Sequence, residues 1–108
     1  MKFKNIYEFK EFNSMININL DGIKTVFYLD YDETLIPFII KLYKDGILYD
    51  DLNVTIPESY RLNRKEFFLN PNINKNIVKE LVKQNFMEET YHDAVAGDMP
   101  TKSYILTI

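Results

Sequence analysis

Ile16-Asn17-Ile18-Asn19-Leu20-Asp21-Gly22-Ile23-Lys24-Thr25-Val26-Phe27-Tyr28-Leu29 is the stretch that decides the fold. Its first five residues alternate apolar and polar, the period of a strand with one buried face. Asp21-Gly22 is a favoured pair for a two-residue hairpin turn, in which both central residues need φ above zero. Pairing outward from that turn sets Leu20 opposite Ile23, Ile18 opposite Thr25 and Ile16 opposite Phe27. The apolar residues of both arms then share one face, which Leu29 and Tyr31 continue. A slip by one residue would bury the asparagines instead, so the pattern specifies the register.

A second hairpin is predicted around Lys44-Asp45-Gly46. A two-residue turn would put Ile40 and Leu42 on one face and Leu52, Val54 and Ile56 on the other. A three-residue loop over 44–46, with Gly46 left-handed, aligns Phe38, Ile40 and Leu42 with Leu48, Leu52, Val54 and Ile56, and is the register expected. Asp50 is then the odd polar residue on that face, near a strand edge. Pro57 ends the strand, and Glu66–Leu69 reads as another. Asn70-Pro71-Asn72 breaks the chain, and Asn72 or Asn74 is the expected N-cap of a helix over about 73–85. Ile77, Val78, Leu81, Val82 and Phe86 mark its apolar face, with Lys75, Lys79, Glu80 and Lys83 outward and Asn85 at its C-cap. Residues 88–100 read as a loop, and Ser103–Ile108 as a final strand with Tyr104, Leu106 and Ile108 inward. Phe3, Ile6, Phe9 and Phe12, at every third position, lean towards a helix over 3–14. The expectation is a single α+β domain over 1–108: an antiparallel sheet of about five strands with one amphipathic helix packed on it.

The 108 residues are enough for one core without staples. Hydrophobic residues make up 46% and aromatics 15%, which argues against disorder. The absence of cysteine removes disulfides and thiolate chemistry and fits a reducing cytoplasm, the expected location. No signal peptide is visible, and no apolar run approaches the roughly 20 residues of a membrane span. Net charge is −3, with the acids concentrated over 30–58 and 88–98 and the bases over 59–87. That balance argues against direct nucleic-acid binding and permits a protein partner with a basic surface. No cofactor is expected. His92 with Asp93 and Asp98 is the one candidate ligand group, and a single histidine in an acidic stretch reads as solvated surface. Ser14, Ser59 and Ser103 have no histidine beside them in sequence, so no triad is suggested.

The run Asp30-Tyr31-Asp32-Glu33-Thr34, following the apolar Val26–Leu29, resembles the opening motif of the haloacid-dehalogenase phosphatases. That resemblance implies Asp30 as nucleophile, Asp32 as acid/base and a magnesium ion between carboxylates. Such chemistry needs the first Asp at the carboxyl end of a parallel strand in a doubly wound sheet. Residues 36–108 read as hairpin, strand, helix and strand, without repeated crossovers. The enzyme is therefore the alternative, and Asp30 and Asp32 are read as carboxylates on a wet strand face beside Tyr28.

The stretch Asp45-Gly46-Ile47-Leu48-Tyr49-Asp50-Asp51-Leu52-Asn53-Val54-Thr55-Ile56 resembles the central hairpin of a small domain-of-unknown-function family carried by bacterial conjugative elements and phages. The likeness spans roughly 38–108, through Phe67-Phe68-Leu69, the Asn-Pro-Asn break, the helix and the terminal Tyr104 strand. Gly97-Asp98-Met99-Pro100 departs from the Gly-aromatic stretch of that family. The resemblance implies an accessory role in a mobile element, such as countering a host defence system, and the expectation is a non-catalytic protein-binding accessory, such as an anti-CRISPR-like inhibitor of a host defence nuclease. Tyr28, Asp30 and Asp32, with Glu33 next to them, and Tyr49 with Asp51 beside Tyr43, are the expected contact residues. Tyr supplies rigid contact area, and carboxylates imitate phosphate charge towards a basic channel. A structural or assembly subunit, using a sheet edge or the Lys75, Lys79 and Lys83 face, is the third reading.

Overall fold

The computed structural model describes residues 14–32, 34 and 38–108. The helix expected over 3–14 falls outside the described residues except for its last position, Ser14, which begins a strand.

The first hairpin forms in the expected register. Strand β1 (Ser14–Leu20) pairs antiparallel with β2 (Ile23–Tyr31), with Ile16 opposite Phe27 and Ile18 opposite Thr25. Asp21 and Gly22 adopt φ of 52° and 83°, as the two-residue turn requires. Ile16, Ile18, Phe27 and Leu29 are buried on one face, while Met15, Asn17 and Asn19 face out.

The second hairpin corrects the expected register. β3 (Ile40–Lys44) and β4 (Ile47–Asp51) are joined by a two-residue turn, with Lys44 opposite Ile47 and φ of 55° and 77° at Asp45 and Gly46. The bulge lies farther along β4. Tyr43 faces Leu48 but Leu42 faces Asp50, so Tyr49 is the extra residue. That one insertion restores the parity a two-residue turn would have lost. Ile40, Leu42 and Leu52 all reach the core, whereas Leu48 is left outside at 47% exposure.

At Leu52 the chain changes sheets. The Leu52 N–H donates to the Ile40 carbonyl and closes the β3–β4 ladder, and its own carbonyl accepts from the Asn70 N–H. β5 (Asn53–Val54) then pairs with β6 (Glu66–Leu69) in the second sheet. The buried Asn53 amide stands in for the peptide that β3 loses: Oδ1 accepts from the Ile40 N–H at 2.9 Å and Nδ2 donates to the Phe38 carbonyl. Asp50 is excused by partners, since its carboxylate accepts from the Asp51 N–H and from Asn70 Nδ2.

A short 3-10 segment, Pro57–Arg61, leads to β6, and the Asn-Pro-Asn break follows. Helix α1 (Lys75–Lys83) is capped by Asn74, whose Oδ1 accepts from the Asn76 N–H at 2.8 Å. Its end is a Schellman motif: Phe86 N–H to Leu81 carbonyl and Asn85 N–H to Val82 carbonyl, with Asn85 left-handed at φ 64°. Ile77, Val78 and Leu81 are buried; Val82, expected on that face, is 40% exposed.

The loop expected over 88–100 is a hairpin. β7 (Met87–Ala96) pairs with β8 (Met99–Leu106) around Gly97-Asp98, with Gly97 at φ 67°. β7 hides from the sequence because it is an exposed edge strand with a wide irregularity. Thr90, Tyr91 and His92 together face the single residue Ser103. Of the residues expected inward on the terminal strand, Leu106 is buried and Tyr104 half-buried, but Ile108 lies beyond the end of β8 and is exposed.

The result is an α+β fold: the described residues form eight strands in two antiparallel sheets, ordered β1-β2-β3-β4 and β5-β6-β8-β7, and one helix packed against them. The strand number exceeds the expected five because β7 is a strand and the stretch after Gly46 divides between two sheets. A single buried cluster joins Ile16, Phe27 and Leu42 of the first sheet, Phe67 and Leu106 of the second, and Leu81 of α1. No helix among the described residues is long and apolar enough to cross a membrane.

Candidate functional site

The outer face of the first sheet is built by alternation. Residues between the core positions of β1, β2 and β3 must point away from the core. Cross-strand pairing then lines up Met15, Tyr28, Tyr43 and Leu48, one residue from each strand. Met15 is 54% exposed, Leu48 47%, and the two tyrosines between them are half-buried. Four strands at about 4.8 Å spacing give this row a span of roughly 14 Å. Next to it runs a charged row, Asp30, Lys41 and Asp51, on β2, β3 and β4. Lys41 Nζ lies 3.0 Å from Asp51 Oδ1, and Asp30 is the residue opposite Lys41 on the other side. The face thus joins an apolar, aromatic row to carboxylates with a lysine between them.

The expected contact residues do not all meet here. Tyr28, Asp30 and Asp51 share the outer face. Asp32 lies at the exit of β2, where one carboxylate oxygen accepts from both the N–H and the hydroxyl of Thr34, at 2.9 and 2.6 Å. Its Asp-x-Thr spacing serves a local turn of the kind such side chains form. Glu33 lies outside the described residues. Tyr49 is separated from Asp51 by the bulge: its ring packs edge-on against the buried Phe27, centroids 5.0 Å apart at 77°. The expectation that Tyr49 and Asp51 share a face is therefore corrected. Met15 and Leu48 were not foreseen as surface contacts. Met15 had a signal, because it alternates with Asn17 and Asn19. Leu48 had none, because its face depends on where the bulge falls.

The ladders among the described residues are all antiparallel. Asp30 stands on a strand paired on both sides, so the doubly wound setting implied by the phosphatase motif is not the architecture around it. His92 does not gather Asp93 and Asp98; no group of three His, Asp or Glu residues suited to a metal ion occurs among the described residues. Instead, His92 Nε2 lies 3.6 Å from Oε2 of the buried Glu66, whose Oε1 accepts from the Asn63 N–H. Ser103 is fully buried, and its hydroxyl bonds Thr90 Oγ1 at 2.6 Å and accepts from the His92 N–H at 2.9 Å. It closes the β7 irregularity and satisfies polar groups that the ladder leaves over.

No protein-family model, curated protein or solved structure matches the chain.

Proposed function

We propose that this chain is a non-catalytic binding protein that docks a protein partner on the outer face of its first sheet. The setting is the one implied by the resemblance over 38–108: an accessory of a mobile element that inhibits a host defence nuclease. The observation that carries the reading is the outward row of Met15, Tyr28, Tyr43 and Leu48, exposed at its two ends and half-buried at the tyrosines. Methionine and tyrosine are enriched in the cores of protein interfaces, and paired strands hold their backbone with little conformational freedom left to lose. The Asp30, Lys41 and Asp51 row forms a polar rim. Its two carboxylates favour a partner surface bearing guanidinium or ammonium groups, and Lys41 between them selects one that also offers an acceptor.

The test is nuclease inhibition by the purified chain, comparing wild type with Met15→Lys/Leu48→Lys and with Asp30→Lys/Asp51→Lys. The expected result is protection of a DNA substrate by wild type and loss of protection in the first variant at unchanged stability. The second variant is expected to slow association more than it speeds dissociation. Full activity in both variants would overturn the assignment of this face. Magnesium-dependent hydrolysis of a phosphate ester, abolished by Asp30→Asn, would overturn the non-catalytic reading.

A further inference from the structure

A groove runs between α1 and the β7–β8 hairpin, and none of its lining residues belongs to the first sheet. It has two sections, of about 860 and 480 Å3, and Tyr104 lines both. Leu69, Pro71, Val78 and Tyr104 supply its apolar surface. Its two walls carry opposite charge. The balance is one of net charge: α1 contributes Lys75, Lys79 and Lys83 with Glu80, and the β7–β8 hairpin Glu88, Glu89 and Asp93 with Lys102. These rows do not neutralise each other. Lys83 pairs with Glu80 and Glu89 with Lys102, and among the described residues Lys75, Lys79, Glu88 and Asp93 form no ion pair. Apolar side chains crowd the same rim: Tyr91 is 80% exposed, Val95 56% and Val82 40%.

We infer that this groove is the contact between two copies of the chain. A partner of uniform charge would be drawn to one wall and repelled by the other. A second copy resolves the conflict, because a two-fold axis reverses the order of the walls. Each lysine row then meets the partner's carboxylate row. The exposed Tyr91 and Val95 are covered in the same step, which removes apolar surface from water. The outer face of the first sheet stays open in such a dimer, so this inference stands independently of the proposed function.

Sedimentation equilibrium over a wide concentration range tests it. Wild type is expected to move from 12.9 kDa towards twice that mass as concentration rises. Lys75→Glu/Lys79→Glu and Glu88→Lys/Asp93→Lys change residues without an ion pair among the described residues, so both are expected to keep the wild-type circular dichroism. Each variant alone is expected to weaken dimerisation at least tenfold, because like rows now face each other. Mixed in equal amounts, the two are expected to regain a mixed dimer, since every row again meets its opposite. A wild-type chain that stays monomeric throughout, or a mixture in which both folded variants stay monomeric, would overturn the inference.

Discussion

Asn53→Ala is the substitution through which the sheet change can be weighed. Asn53 is 8% exposed, and its amide satisfies two backbone groups of the chain entering β3, the Ile40 N–H and the Phe38 carbonyl. Alanine removes both partners at once and leaves a space too small and too apolar for water to replace them well, since Phe38, Ile40 and Leu52 around it are all buried. An orphaned buried polar group costs about 1–3 kcal/mol, so two give about 3 kcal/mol after partial relaxation. That is a large share of the roughly 5–15 kcal/mol that holds a domain folded. With a urea m-value of about 1.5 kcal/mol/M for a chain of this size, the midpoint should fall by about 2 M. Asn53→Asp is the control for donor and acceptor. It keeps an acceptor for the Ile40 N–H but turns a carboxylate oxygen towards the Phe38 carbonyl, so at neutral pH it should destabilise at least as much. Equilibrium urea unfolding followed by circular dichroism measures both. A midpoint within about 0.3 M of wild type for Asn53→Ala would refute the claim that this side chain replaces a stretch of ladder.

Three further outcomes follow from local geometry. Asn85→Ala should cost about 1 kcal/mol in thermal or urea unfolding, because Asn85 sits left-handed at φ 64°, and Asn85→Gly should be neutral or slightly stabilising. Ser103→Ala should destabilise by about 1–2 kcal/mol and speed hydrogen exchange at the His92 amide, since the buried hydroxyl bonds both Thr90 and that N–H. The Tyr104 phenol is held above its ordinary value of 10.0, chiefly by burial and then by the nearby Glu89 and Tyr91. Its neutral form is therefore favoured by folding, so the stability it contributes is full below that ordinary value and is lost as pH rises through the raised one. In an ultraviolet titration, Tyr104→Phe should remove a late-ionising tyrosine.

The first hairpin was legible because three signals agreed: alternation in β1, apolar matching in β2, and Asp21-Gly22 at the turn. The second was legible only as a hairpin. Asp45-Gly46 is an equally good two-residue turn, but the conflict of faces that argues against it is resolved four residues away, by Tyr49 in a bulge. No local rule states where a strand will absorb an extra residue. β7 was lost for a related reason. It is an edge strand with little to bury, so alternation is weak, and the three residues facing Ser103 break what remains. Gly97-Asp98 was the available signal, a turn pair of the type with glycine first. Of the site, Tyr28 and Asp30 could be placed from parity alone. The row they belong to could not, because it exists only once four strands are registered, and Leu48 joins it through the Tyr49 bulge.

The same geometry makes folding and binding separable. Asn53 and Ser103 are buried and carry the places where the ladders depart from regularity, so changing them tests the fold. Met15 and Leu48 are exposed and lie outside the core cluster, so lysine at either should alter stability by no more than about 0.5 kcal/mol. A methionine and a leucine at the ends of a tyrosine pair, each about half exposed, contribute little burial among the described residues. On the proposed reading, a partner covers the row. The contrast is measurable in one set of proteins. Loss of binding in Met15→Lys/Leu48→Lys at wild-type stability assigns the row to recognition. Equal loss of stability would instead return those side chains to the fold and leave the outer face without a role.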